Sequence, residues 1–313
     1  VRQQTASIAV VTVDASTVLL DGPWRHEFVP AGGSRFHAVL AGPWDDTDTP
    51  LVVLLHGFPQ FWWAWRAQIP ALAEAGYRVA ALDLRGTGAS DKPPTGYDIP
   101  TLARDVAGVI RALGSQNAVV IGHGIGGVIA WSMPGLQSSV VNAVGALAAP
   151  HPIHTHARHW FLVRGSAIRR LAFAQLPFFP ERAAIRGDFI RRILTEWGTP
   201  GWYSPETAAR YISAIRIPFA AHSAMEVLRW LFRSTPRADG IRYLNALQGA
   251  DPVPVLQLHG DRDRAIRARA AKADRPFGEP YRFEVIYNAG HFLPEEAPDE
   301  VTALLLDWLA SLN

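Results

Sequence analysis

The chain has no cysteine in its 313 residues. Disulfides, thiolate metal ligands and a cysteine nucleophile are therefore excluded together, although the absence says little about compartment. Lysine is almost missing as well. Lys92 and Lys272 are the only lysines among 30 basic residues, and arginine supplies the rest. Arginine keeps its charge at every accessible pH, so the pI reaches 9.1 although the formal net charge is only +2. No basic stripe is interleaved with stacking aromatics, which sets nucleic acid aside as a partner. No apolar run has the length of a membrane span. A cytoplasmic location is expected, for a chain whose first residue, Val1, reads as a trimmed start.

What is present is ordinary globular composition, with 49% hydrophobic and 19% charged residues, neither disordered nor fibrous. A chain of this length can bury a large core as one α/β domain with an insertion. There is no internal repeat. Residues 5–20 alternate weakly and suggest an N-terminal hairpin, with a further strand near Phe36–Leu40. Leu51–Leu55, Tyr77–Leu82, Asn117–Ile121 and Ala143–Leu147 are apolar runs of the kind buried on both faces of a parallel sheet. Helices are expected over Trp63–Ala75, and over Thr101–Leu113 with Thr101 as the N-cap and Gly114 as the stop. From His151 to about Thr235 the periodicity becomes helical, rich in aromatics, arginine and proline. Strand–helix alternation then returns with Val253–Leu258, a helix near Arg267–Ala273, Arg282–Tyr287 and a last helix over Pro298–Leu312. The expected fold is α/β, a mostly parallel sheet covered on both faces. Residues 1–150 and 236–313 form its core and 151–235 a helical lid.

Three features in chain order are linked by chemistry. Gly122-His123-Gly124-Ile125-Gly126-Gly127 joins an apolar, β-branched run to a helical one, as in a nucleophile elbow. Such a turn holds one attacking side chain over the end of a sheet, and here the central residue, Gly124, has none. A phosphate-binding glycine loop is the rival reading. It ranks low, with no P-loop lysine and no acidic residue suited to a ribose. His56-Gly57-Phe58-Pro59 follows a buried strand and can aim the Phe58 N–H at a developing oxyanion; the second N–H would come from Ile125, near a helix N-terminus. Asp263 and His291 each follow a strand, on loops where open sheets place active sites. A buried carboxylate there fixes the tautomer of an imidazole that acts as base. Asp261 is the rival acid, and its side chain is expected to bond to the loop backbone.

With these residues on the page, the chain resembles the α/β-hydrolase superfamily, in particular its epoxide-hydrolase-like branch. The resemblance rests on His56-Gly57-Phe58-Pro59-Gln60-Phe61-Trp62-Trp63-Ala64-Trp65-Arg66, on Asp83-Leu84-Arg85-Gly86-Thr87-Gly88-Ala89-Ser90-Asp91-Lys92-Pro93 and on Ala149-Pro150-His151-Pro152. It covers nearly the whole chain outside the lid. It implies an eight-stranded sheet, a helical lid, no cofactor, and attack by an aspartate on an epoxide carbon. The resulting ester would be cleaved by water that the histidine–aspartate pair activates. Asp263 and His291 match the acid and the base, and Phe58 and Ile125 the oxyanion positions. Gly124 stands where the aspartate belongs, and Ile125 where tryptophan is usual. Two lid tyrosines of the branch would fall at Ala174 and Leu228, with Tyr203 and Tyr211 as substitutes in a rearranged lid. His56, Phe61 and Trp62 are pocket-wall candidates. Homodimers are frequent in the branch.

The crowd of His151, His154, His156 and His159 suggests a metal, but without a neighbouring carboxylate a solvated loop or hinge is the better reading and no metal is expected. The lid arginines Arg158, Arg164, Arg169, Arg170, Arg182, Arg186, Arg191 and Arg192 interleave with Trp160, Phe161, Leu162 and Phe173. Contact with an anionic membrane surface is the weaker reading, and an amphipathic lid is the stronger. Two functions compete. One is hydrolysis of a small apolar epoxide or activated ester by water that His291 and Asp263 activate. The other is a catalytically inactive pseudo-hydrolase that binds an apolar small molecule or a protein partner.

Overall fold

The computed structural model describes residues 13–156, 163–234, 237–272 and 278–312. Eight strands form one sheet: β1 Arg25–Ala31, β2 Ser34–Ala41, β3 Leu51–Leu55, β4 Arg78–Leu82, β5 Ala118–His123, β6 Val141–Leu147, β7 Val255–Gly260 and β8 Tyr281–Ile286. Their spatial order is β1-β2-β4-β3-β5-β6-β7-β8. The first two pairings are antiparallel, and all those from β4 to β8 are parallel. This is the α/β-hydrolase fold.

The central strands divide by the strand period of two. Val52, Leu54, Val79, Ala81, Val119 and Ile121 face one core, with Ile69, Leu72, Leu305 and Leu309 from the helices Gln68–Glu74 and Pro298–Ala310. Val53, Leu55, Ala80, Leu82 and Val120 face the other, with Ile99, Val106, Ile110 and Met133 from the helices Ile99–Ala112 and Ile125–Leu136. Continuous apolar runs follow directly from having a core on both sides. Between β6 and β7 in the chain stand the helices Gly165–Ala174, Phe179–Arg186, Asp188–Trp197, Pro205–Arg216, Ala220–Arg233 and Ala238–Gln248. No helix among the described residues is long and apolar enough to cross a membrane.

Several expectations need correction. Part of the expected N-terminal hairpin, residues 5–12, lies outside the described residues, and Ala15–Val18 is a 3-10 turn. The hairpin is β1–β2, turning at Gly32-Gly33. It was hidden because β1 is an exposed edge strand carrying Pro30, with no clean alternation. The helix expected from Thr101 starts at Ile99, because Asp98 is the cap and accepts from the Thr101 N–H at 2.8 Å. His151 and His154 are buried rather than solvated. His154 Nε2 pairs with the Ala270 carbonyl at 2.7 Å, and His151 packs edge-on against Trp131. His156 is exposed. His159, Arg158, Trp160, Phe161 and Leu162 lie outside the described residues.

The helix Ile125–Leu136 lies against the strand ends backbone to backbone. A Cβ on Gly126 would stand 2.3 Å from the Leu55 carbonyl oxygen and 2.7 Å from that of His56. Gly126→Ala must therefore push the helix off the sheet, and a loss of roughly 1–3 kcal/mol is expected. Gly165→Ala, where no atom comes nearer than 4.0 Å, is the control and should leave stability nearly unchanged. Equal urea midpoints for the two variants would refute the close-contact argument.

Candidate functional site

Four loops at the C-terminal ends of β3, β5, β7 and β8 converge. After β3, the loop from His56 is tied down through its own ring. His56 Nδ1 pairs with the Gly57 carbonyl at 2.8 Å, and Nε2 meets Thr87 Oγ1 at 3.0 Å and the Leu84 N–H at 3.2 Å. After β5, Gly124 has φ +54° and ψ −115°. This backbone conformation is costly for an L-residue, of order 1–3 kcal/mol, and free of that cost for glycine. Its N–H donates to the Leu147 carbonyl at 2.9 Å. Ile125 opens the helix, so its N–H has no intrahelical acceptor.

After β7, Asp263 is fully buried. Its Oδ1 accepts from the N–H groups of Ala265 and Ile266 at 2.7 and 2.8 Å. Its Oδ2 lies 2.9 Å from His291 Nδ1 and 3.2 Å from His259 Nε2. Burial pushes this carboxyl up, yet the His291 ring, together with His259, outweighs burial and holds it well below the usual carboxylate range. The structure thus brings Asp263 and His291 together. Asp261 is exposed, and its backbone N–H rather than its side chain makes the loop bond, to the Ile286 carbonyl. The expected side-chain bond is not found among the described residues.

His291 faces the elbow. A Cβ built on Gly124 would lie 3.8 Å from His291 Nε2 and 3.6 Å from Gly57 Cα, with no other atom of the described residues within 4 Å beyond its chain neighbours. The main chain of His291 is held as well, by an unforeseen residue: His123 Nε2 meets the His291 carbonyl at 2.7 Å. Burial, then the neighbouring His291, lower His123 from an ordinary 6.5 to about 3. The neutral ring donates through Nε2 and must accept at Nδ1, 2.8 Å from the Gln60 amide. On its other side the Gln60 amide lies 2.6 Å from Glu295, which also takes hydrogen bonds from Arg66 and Tyr211. Burial raises Glu295 against the pull of Arg66 and Tyr211. Sequence separations of 63 and 168 residues hid this network.

Phe58 and Ile125 border a cavity of about 40 Å³, together with His56, Leu84, Ile215 and Val227. The other expected wall residues lie elsewhere. Trp62 is a core residue, fully buried, with its indole N–H on the Val18 carbonyl at 2.8 Å. Phe61 is buried against Tyr211 and Trp63. Ala174 and Leu228 belong to the apolar core, where Arg229 reaches the Ala174 carbonyl. Tyr203 is paired with Thr195 at 2.8 Å, and Tyr211 donates to Glu295 at 2.6 Å. The Tyr211 proton is thus taken, and in the Tyr203–Thr195 pair either hydroxyl can donate. A further residue at the site is Trp197, whose ring stands edge-on to His291 with centroids 5.3 Å apart.

Comparison with known proteins agrees with this architecture. A family model described as alpha/beta hydrolase fold matches residues 50–298. Epoxide hydrolase A of Mycobacterium tuberculosis is 33% identical over 329 aligned positions, covering 93% of this chain and 99% of the relative. The AB hydrolase superfamily protein YfhM of Bacillus subtilis is 31% identical over 288 residues, covering 90% and 97%. The crystal structure of epoxide hydrolase A from Mycobacterium thermoresistibile superposes with a TM-score of 0.76 at 27% identity, covering 93% of this chain and 99% of that one.

The neutral, buried His123 makes stability depend on pH. Unfolded, the ring binds its proton near 6.5; folded, near 3. Between these values the unfolded chain holds the extra proton, so stability falls as pH drops from 6.5 toward 3, by on the order of 5 kcal/mol in full. In His123→Gln the decline of the urea midpoint between pH 6.5 and 4 should be shallower. Parallel curves for native protein and variant would show that His123 is not the group responsible.

Proposed function

Because the chain belongs to the α/β-hydrolase family, with epoxide hydrolases among its relatives, we propose that it hydrolyses a small apolar ester with a good leaving group, or more weakly an epoxide, by water that His291 activates directly. The observation that carries this reading is the open surround of Gly124, with His291 Nε2 at 3.8 Å from the Cβ position. Positions around that point lie within the 2.6–3.2 Å that proton transfer requires. Nε2 takes the proton of the water, and the oxygen attacks the carbonyl carbon. Asp263, on Nδ1, stabilises the imidazolium. The N–H groups of Phe58 and Ile125 receive the oxyanion, and the imidazolium returns its proton as the alcohol leaves. Covalent attack by residue 124 has no place in this scheme. The helical insertion serves as the lid, and its helices Pro205–Arg216 and Ala220–Arg233 line the apolar cavity at Phe58 and Ile125. Opening an epoxide also needs a proton donor for the alkoxide. Tyr203 and Tyr211 are both engaged elsewhere, which ranks esters above epoxides.

The same engagement of Tyr203 and Tyr211 favours a second reading, a pseudo-hydrolase that binds an apolar molecule without turning it over. A panel of p-nitrophenyl esters and aryl epoxides separates the two. Turnover above buffer that falls roughly 10²–10⁴-fold in His291→Ala supports general-base hydrolysis. Turnover no greater than that of the variant would refute it.

The framework around the elbow yields a further outcome. A Cβ at 124 makes only ordinary contacts, so Gly124→Asp should fold, with a lower Tm from the strained φ. A Tm equal to that of the native chain would show that the elbow conformation at residue 124 carries no strain for an aspartate.

A further inference from the structure

The geometry points to a carboxylate site at residue 124: we propose that the hollow beside His291 binds a short apolar carboxylic acid, with its carboxylate where an aspartate side chain would otherwise stand. The proposal concerns the site read above as hydrolytic, and rests on its geometry rather than on turnover. There is space to begin such a group. Among the described residues, a Cβ at residue 124 would find Gly57 Cα at 3.6 Å and His291 Nε2 at 3.8 Å, both at ordinary contact distance. An aspartate side chain is CH₂–COO⁻, which is acetate apart from its bond to Cα. The first carbon of such a group is therefore accommodated beside His291.

Donors also converge there without acceptors. The elbow conformation, φ +54° and ψ −115°, is kept. Ile125 and Gly126 thus begin the 12-residue helix with N–H groups that have no intrahelical acceptor. His291 is 95% buried by its 5% exposure. Its Nδ1 is taken by Asp263, and its Nε2 makes no hydrogen bond among the described residues. Trp197 is 7% exposed, its indole N–H is buried with no partner among the described residues, and its ring lies against His291. A carboxylate offers about four acceptor sites, enough for His291 Nε2 and both helix N–H groups, where a single water offers two.

Charge closes the argument. A bare carboxylate would face the lone pair of a neutral Nε2. Bound as the acid, the ligand passes its proton to Nε2, giving an imidazolium between two carboxylates, Asp263 on Nδ1 and the ligand on Nε2. The net charge of acid plus site is unchanged. Gly57 and Ile125, beside residue 124, also line an apolar cavity with Phe58, Ile215, Ala224 and Val227, where the hydrocarbon end would lie.

The test titrates the intact protein with butyrate and with butyramide, its neutral isostere, following the His291 imidazole and the Trp197 indole by nitrogen–proton NMR. Butyrate should shift both signals saturably, and butyramide should bind at least about tenfold more weakly, as expected for losing a hydrogen bond to a charged group. Gly124→Asp already carries a carboxylate in the hollow and should lose butyrate binding by a similar factor, while its amide spectrum reports that it is folded. Equal affinity for butyramide, undiminished binding by a folded Gly124→Asp, or no shift by butyrate would each overturn the proposal. The outcome is separable from hydrolysis. Butyrate shifts in a protein that turns over no ester would sink the hydrolytic reading and leave this one. Ester turnover without such shifts would do the reverse.

Discussion

The closeness with which the helix Ile125–Leu136 meets the ends of β3 and β5 governs the rest of the site. A Cβ on Gly122 would stand 2.0 Å from the Gly126 carbonyl oxygen, and one on Gly126 2.3 Å from that of Leu55. These are backbone contacts, and no side-chain rotation relieves them. They fix the direction in which the chain leaves β5, and with it φ and ψ at residue 124, the position of the Ile125 N–H and the nearness of Gly57. The turn is therefore encoded in its neighbours rather than in the residue at its centre. That is why it survives with glycine at the centre, and why glycine costs the fold nothing there. An L-residue in the same place would carry the strain.

His291 is fixed at two points by two kinds of force. Asp263 holds the ring at Nδ1, and His123 holds the main-chain carbonyl. Both partners are buried, and their burial acts in opposite senses. An ionised carboxylate with no exposure is tolerated only because two N–H groups and two imidazoles surround it. His123 resolves the same problem by staying neutral, and its partner Gln60 links it on to Glu295. The ion pair is thus local and the bridge is long. Asp263 also closes its own loop through Ala265 and Ile266, so retention of this acid reflects loop geometry as well as chemistry.

How much of this the sequence disclosed follows from the range of the interactions. Runs such as Leu51–Leu55 announce strands because both faces are buried, and that requirement is local. Asp263 and His291 could be placed because each follows a strand directly, and strand ends in an open sheet share one rim. Gly124 could be singled out because an elbow has a short spacing. The link from Glu295 through Gln60 to His123 could not be read, since its members lie 235 and 63 residues apart and each has an innocuous local setting. Trp62 was misplaced for a related reason. Its neighbour Phe61 and the oxyanion loop suggested a wall, while its partner, the Val18 carbonyl, lies 44 residues away. The edge strand β1 was missed because half-exposed strands lose the alternation that marks them.

The losses and the retentions fall into two chemically distinct sets. Opening an epoxide by the covalent route needs a side-chain nucleophile and an acid at the departing oxygen. Gly124 supplies no nucleophile. Ala174 and Leu228 are core residues, and the hydroxyls of Tyr203 and Tyr211 are paired with Thr195 and Glu295. Acyl chemistry by water needs a base, an acid to steady it and N–H groups for an oxyanion. The imidazole, the carboxylate and the elbow that carries those N–H groups are all in place. A carboxylate ligand uses the same second set, because it is an oxyanion at rest, whereas the tetrahedral intermediate of an ester is one in passing. Hydrolysis and acid binding are therefore two demands on one array of donors. The two proposed readings differ in whether water or ligand stands beside His291 at residue 124.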